Sequence, residues 1–144
     1  MNAPRQYCTF FLDGHLFGVE VEAVQEVIRL QDVTRVPRAP AVVRGLINLR
    51  GQIVTAIDLR AQLGLPPPRG GAPSMNVVMR ADGGPVSLLV DEIGDVIEVR
   101  EDWFEPPPDT LQGTGREMLR GAYKLTDRLL LILDRSKAIH VDAA

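Results

Sequence analysis

Cysteine is almost absent from this chain of 144 residues. The single Cys8 can form no internal disulfide and cannot supply a structural zinc site, so it reads most simply as a small buried hydrophobe among strand residues. Two histidines, His15 after a turn and His140 near the end, leave little material for a metal centre or a general base. Aromatic residues are only 5% of the chain, which disfavours a stacking platform for single-stranded nucleic acid and the aromatic walls of a proline-peptide groove. A net charge of −3 points away from a polyanion, because nucleic-acid affinity rests largely on releasing phosphate counterions; a small nucleic-acid-binding barrel is the weaker alternative. The longest unbroken apolar run, Leu129–Leu133, falls far short of the ~20 residues of a membrane span. Residues 1–6 are polar and contain proline, unlike a secretory signal, so a cytoplasmic protein with no membrane insertion is expected.

The signatures of catalysis are missing too. There is no nucleophile elbow, phosphate-cradling glycine loop or zinc-ligand spacing. Gly113-Thr114-Gly115 comes nearest to an anion nest, but no apolar strand runs into it and it reads as a flexible loop. Asp91, Glu92 and Asp95 would suit acid–base work only inside a concave pocket, and a solvated turn is the simpler reading. No enzyme, metal or cofactor is expected.

What is present is ordinary globular material, 45% hydrophobic and 24% charged, enough for one domain or two small lobes sharing a core. Strand-length runs separated by turn signals point to an all-β barrel or sandwich. Residues 7–12 and 15–19 flank Asp13-Gly14, a hairpin dipeptide. Val21, Val24, Val27 and Ile28 then recur at three- and four-residue spacing, which fits a short helix or a turn running into a strand that begins near Glu26. Residues 46–50 and 53–59 form a second hairpin about Gly51-Gln52, with helical turns over 59–65. Residues 66–74, with four prolines and two glycines, mark a loop. Further strands fall at 76–81, 86–90 and 96–99, and a last hairpin at 118–125 and 129–133.

The halves resemble each other. Asp13-Gly14 recurs 69 positions on as Asp82-Gly83, and the same shift lays Val24, Val27 and Ile28 on Ile93, Val96 and Ile97, and Pro37 on Pro106. Leu49-Arg50-Gly51 meets Leu119-Arg120-Gly121 at a shift of 70, and Leu133-Asp134 echoes Ile57-Asp58. A duplicated unit predicts two small barrels of like topology that bury apolar surface against each other, setting the segments around Val24 and Ile93 beside one groove.

Val24-Gln25-Glu26-Val27, Val33-Thr34-Arg35-Val36-Pro37 and above all Gly45-Leu46-Ile47-Asn48-Leu49-Arg50-Gly51, followed by Ile57-Asp58-Leu59-Arg60, resemble the bacterial CheW chemotaxis coupling family. The likeness runs from Gln6 to about Ile139, including Val90-Asp91. It implies one CheW-like domain over 1–144, all-β with short helices, as two SH3-like five-stranded barrels related by a pseudo-twofold axis. Their approximate extents are 13–81 and 82–140, with residues 1–12 completing the barrels. The function implied is a non-enzymatic adaptor, recruited to membrane receptor arrays, that joins chemoreceptor cytoplasmic tips to the regulatory domain of the histidine kinase CheA. A pathway with an output other than swimming is the nearest alternative. Carried over by position, Val21, Val24, Val27 and Ile93 would form the receptor groove, with Glu26 and Arg50 nearby. Leu30, Val33, Arg35 and Gly45 would face the kinase. Arg50 stays open between receptor contact and an internal pair with Glu26. An arginine at Val24 is expected to abolish receptor binding. The short C-terminus implies little or none of the longer final helix of some relatives.

Overall fold

Residues 4–29, 31–68, 75–109 and 113–141 are described by the structure, a computed structural model. The chain opens with β1 (Pro4–Leu12) and β2 (His15–Glu20). Asp13 and Gly14 join them with φ of 51° and 80°, the left-handed pair that lets a two-residue turn match strand twist. A 3-10 turn at Val21–Ala23 leads into β3 (Val24–Arg29). Of the two readings open for this stretch, the turn into a strand is the one observed, with the strand starting two residues before Glu26. β4 (Val43–Leu49) and β5 (Gln52–Asp58) form the second hairpin. Its turn is Arg50-Gly51 rather than Gly51-Gln52, with φ of 53° and 85°. Asn48 Oδ1 accepts the Gly51 N–H at 2.8 Å and holds Arg50 in that left-handed conformation.

α1 (Leu59–Gln62) is N-capped by Asp58 and followed by Gly64 with φ 73°. β6 (Met75–Met79), β7 (Val86–Val90) and β8 (Glu92–Arg100) come next, and a 3-10 turn at Glu101–Trp103 leads to β9 (Phe104–Glu105). Residues read as loop at 114–115 open a one-turn helix, α2 (Thr114–Glu117). β10 (Leu119–Lys124), β11 (Leu129–Leu133) and α3 (Arg135–Ile139) complete the chain. Most of the proline-rich 66–74 stretch lies outside the described residues.

The fold is mostly β with short helices, in two sheets: β8-β1-β2-β11-β10-β9 and β3-β6-β7-β5-β4. Apart from β9, these are one order written twice. The hairpin β1–β2 plays in the first sheet the part of β6–β7 in the second, with a parallel neighbour in each case, β11 or β5. Each sheet therefore takes its hairpin from one repeat and its flanking strands from the other. The chain passes between sheets at Val21–Ala23 and at Asp91, while the 81/82 boundary lies within the β6–β7 turn.

The register of the repeat changes along the chain. It is 69 residues from β1 through β3, 71 where Thr34 answers to Glu105, and 76 from Val43 onward. Val43, Arg44, Gly45 and Asp58 occupy the places of Leu119, Arg120, Gly121 and Asp134. Arg120-Gly121 thus answers to Arg44-Gly45 and not to Arg50-Gly51, and five of the seven additional residues lie between Glu105 and Leu119. Both glycines have a steric reason. A Cβ on Gly45 would collide with the Thr34 carbonyl, and one on Gly121 with the Phe104 ring and the Glu105 carbonyl.

Three cores follow from this layout. The largest, with Phe10, Phe17, Ile57, Val77, Leu88 and Leu131, lies between the sheets. On its other face the six-stranded sheet buries Tyr7, Leu16, Tyr123 and Leu130, and the five-stranded sheet Ile47, Val54, Val78 and Leu89. Both sheets curl around these smaller clusters. Tyr7 and Tyr123, on strands separated by two others, bring their rings to 5.7 Å and their hydroxyls to 3.4 Å. Burial, and then the Tyr123 hydroxyl, push the Tyr7 phenol far above its ordinary pKa.

Candidate functional site

The edge strands β3 and β8 each carry a bulge at the same place. On β3, Val24 pairs with Met79 and Val27 with Val77, so three steps on β3 match two on β6. On β8, Ile93 pairs with Phe10 and Val96 with Cys8, again three steps against two. Directly opposed residues share a sheet face. The extra residue in each strand therefore puts Val24 with Val27, and Ile93 with Val96, on the face turned toward the shared core. This explains the three-residue spacing that resembles a helix in the sequence: it is the footprint of a bulge.

Burial grades along each pair. Val24 and Ile93 are half-buried and pack against the shared core, whereas Val27 is 37% and Val96 58% exposed. Val21, half-buried in the 3-10 turn, precedes this stripe. Val96 is absent from the set carried over by resemblance, although the 69-residue repeat already laid Val27 upon it. Cys8, opposite Val96, is half-buried rather than buried, and burial raises its thiol pKa.

Glu26 points to the other face of β3, opposite Val78, and meets Arg50 in a forked pair at 2.6 and 2.8 Å. The Arg50 hydrogen bonds hold the Glu26 carboxyl below the usual range and raise the guanidinium in turn. Because β3 is one edge of the sheet and Arg50 lies in the turn joining the last two strands, this pair links its two ends. The internal pairing left open in the sequence is present, yet the Arg50 side chain remains 73% exposed.

A second constellation lies at the β4 edge. Thr34 bridges Leu46 through two backbone hydrogen bonds of 2.8 Å, which requires the bare Cα of Gly45, whose φ is 153°. Val33 packs against the core of the five-stranded sheet, and its Cγ1 would lie 2.7 Å from a Cβ at Gly45. Val33 and Gly45 are thus brought together with Arg35 exposed beside them, while Leu30 lies outside the described residues.

Asp91, read as part of a solvated turn, is engaged. Arg60 donates to it through Nε and Nη2 at 3.0 and 2.6 Å, and the Asp13 N–H donates at 3.0 Å. Burial raises the Asp91 pKa, but the Arg60 fork and the Asp13 amide outweigh it and leave the carboxyl lowered. Arg60 and Asp91 are taken up by each other and by the Asp13 turn, which makes this a structural clamp.

A family model for the CheW-like domain matches residues 6–143. The chain is 30% identical over 136 residues to chemotaxis protein CheW of Treponema pallidum, covering 92% of this chain and 80% of that protein. It is also 30% identical over 135 residues to chemotaxis protein CheW of Bacillus subtilis, covering 94% and 86%. The crystal structure of scaffolding protein TtCheW from Thermoanaerobacter tengcongensis matches with a TM-score of 0.84 at 28% identity, over 97% of this chain and 90% of that one.

Proposed function

This chain belongs to the CheW-like domain family of non-enzymatic chemotaxis scaffolding proteins, and on that premise we propose that it couples chemoreceptor cytoplasmic tips to the regulatory domain of the histidine kinase CheA. It works in the cytoplasm, recruited to receptor arrays. The observation that carries this reading is that two repeat-related edge strands each turn an aliphatic pair, Val24 with Val27 and Ile93 with Val96, toward the face of the shared core. The outer members are exposed and uncharged, which suits the apolar face of a helical hairpin. Val21 extends the stripe, and the Glu26–Arg50 fork lies on the reverse of β3, where it holds that edge in place.

The kinase side is the edge built from Val33, Arg35 and Gly45, with Leu30 leading into it. The two surfaces use different strands, so both partners can be held together. Coupling is then linkage: a receptor state that binds one surface differently biases the kinase on the other. Modest interfaces suffice, because arrays raise the effective concentration of each contact.

Titration calorimetry with a soluble receptor hairpin-tip fragment, and separately with the CheA regulatory domain, tests this directly. Independent binding of both, with a ternary complex on gel filtration, is expected; mutual exclusion sinks the adaptor reading. Replacing Gly45 with alanine is expected to weaken the kinase domain roughly tenfold and lower stability by about 2 kcal/mol, because the new methyl displaces the Thr34 segment. Receptor affinity should hold. A folded Gly45→Ala variant with full kinase affinity would remove this edge from the interface.

A further inference from the structure

The two bulges are alike in pairing but not in how they are secured. In β8 the bulge falls at Gly94-Asp95, opposite Thr9 of β1. Thr9 is 2% exposed, and its hydroxyl donates to the Asp95 carbonyl, a main-chain acceptor inside the bulge. Gly94 makes room for this: a Cβ there would run into Thr9 Oγ1 and press within 3.4 Å of the Phe11 ring. At the repeat-related position of β6 stands Val78, which has no hydroxyl, so no such lock forms on the β3 bulge.

We propose that Thr9 is a positioning residue for the docking stripe: its hydroxyl pins the Gly94-Asp95 bulge and so fixes the three-residue step that sets Ile93 and Val96 on one face. This rests on the receptor-docking reading of that stripe. The physical logic is short. A bulge leaves backbone groups unpaired and lets the strand bend, and β8 has β1 on one side only. If Asp95 loses its partner, the bulge can migrate or relax. A one-residue slip would then turn Val96 from the stripe face to the opposite face. Thr9 touches no partner itself; it acts through the backbone that carries Val96.

Thr9→Val keeps the shape and removes the donor, whereas Thr9→Ser keeps the donor. Binding of the soluble receptor hairpin-tip fragment, measured by calorimetry, should fall about fivefold in Thr9→Val, the size expected for losing one neutral hydrogen bond. Thr9→Ser should stay within about twofold of the parent, and both variants should bind the CheA regulatory domain unchanged. Amide hydrogen exchange at Val96 should quicken in Thr9→Val alone, a local signature that global destabilisation would not confine to β8. Parent-like receptor affinity and Val96 exchange in Thr9→Val overturn the positioning role while leaving the adaptor reading intact. Failure of the parent protein to bind the fragment overturns both. Equal loss of receptor and kinase binding in Thr9→Val reduces Thr9 to a general stability residue and ends the proposal.

Discussion

An arginine at Val27 or Val96 is expected to lower affinity for a chemoreceptor tip about a hundredfold while leaving the unfolding midpoint and kinase binding close to those of the parent chain. The magnitude follows from placing a charge where an interface centre would otherwise be dry and aliphatic: it must stay hydrated or be buried without a partner. Stability should hold because both residues are exposed, at 37% and 58%. Val24, where the sequence alone places the disruptive charge, is a poorer probe. It is half-buried against the shared core and paired with Met79, so an arginine there would disturb packing and docking together. Calorimetry on the two exposed variants, with urea melts in parallel, separates the effects. Full receptor affinity in both would show that helical tips dock elsewhere.

The outcome at Val96 also bears on how the repeat is read. Val27 and Val96 are equivalent by sequence, by pairing register and by bulge. If the receptor spans both edge strands, the two substitutions should be comparable. A large effect at one and none at the other would mean that the helical tip favours a single edge.

Turn chemistry makes several of the hairpins legible along the chain. Asp13-Gly14 marks its hairpin because left-handed backbone favours those residue types, and the helical turns expected over 59–65 begin at the Asp58 cap, whereas the short helix capped by Asp134 has no counterpart in the sequence reading. The second turn lies one residue before the Gly51-Gln52 pair that the sequence suggests, since arginine at a left-handed position carries little local signal; Asn48, three residues before Gly51, is what stabilises it. Val21 to Ile28 stayed ambiguous for a different reason. A bulge inserts one residue into a period of two and produces a spacing of three, which a single strand cannot distinguish from a helical face.

The geometry of the candidate site was half visible. Residue types at matching motif positions pointed to Val24, Val27, Ile93 and the Val33–Gly45 edge, but the ties that hold them are tertiary. Thr9 and Asp95 are 86 positions apart, and Arg60 and Asp91 are 31 apart with nothing local to pair them. The exchange of hairpins between sheets was hidden likewise, because like strands are interchangeable until pairing is known. The shift from 69 to 76 obscured the equivalence of Arg44-Gly45 with Arg120-Gly121, which becomes clear once both glycines are seen beneath crossing strands.

Removing the Arg60 side chain should produce the largest loss of stability of any single change away from the apolar cores, about 2–3 kcal/mol for Arg60→Ala by urea denaturation. Arg60 is 8% exposed and belongs to α1, which follows the five-stranded sheet. It forks onto Asp91, where the chain crosses between sheets, and its Nη1 donates to the Pro66 carbonyl at 2.7 Å and lies 3.6 Å from the Asp13 carboxylate in the β1–β2 turn. One guanidinium therefore ties both sheets and the crossover. The cost falls below that of a fully buried pair because the Asp91 side chain, 24% exposed, keeps some water when its partner is gone. The pH dependence has a definite sign. The Asp91 carboxyl is held below its ordinary value in the folded chain, so its contribution is complete above the unfolded pKa and fades as pH falls through the folded one. Asp91→Asn, which cannot titrate, should be less stable than the parent by a constant margin from pH 8 to about pH 5, with the gap closing below about pH 4. A margin that widened on acidification would mean that Asp91 is not the carboxylate the fold depends on, and the clamp would have to be sought at Asp13.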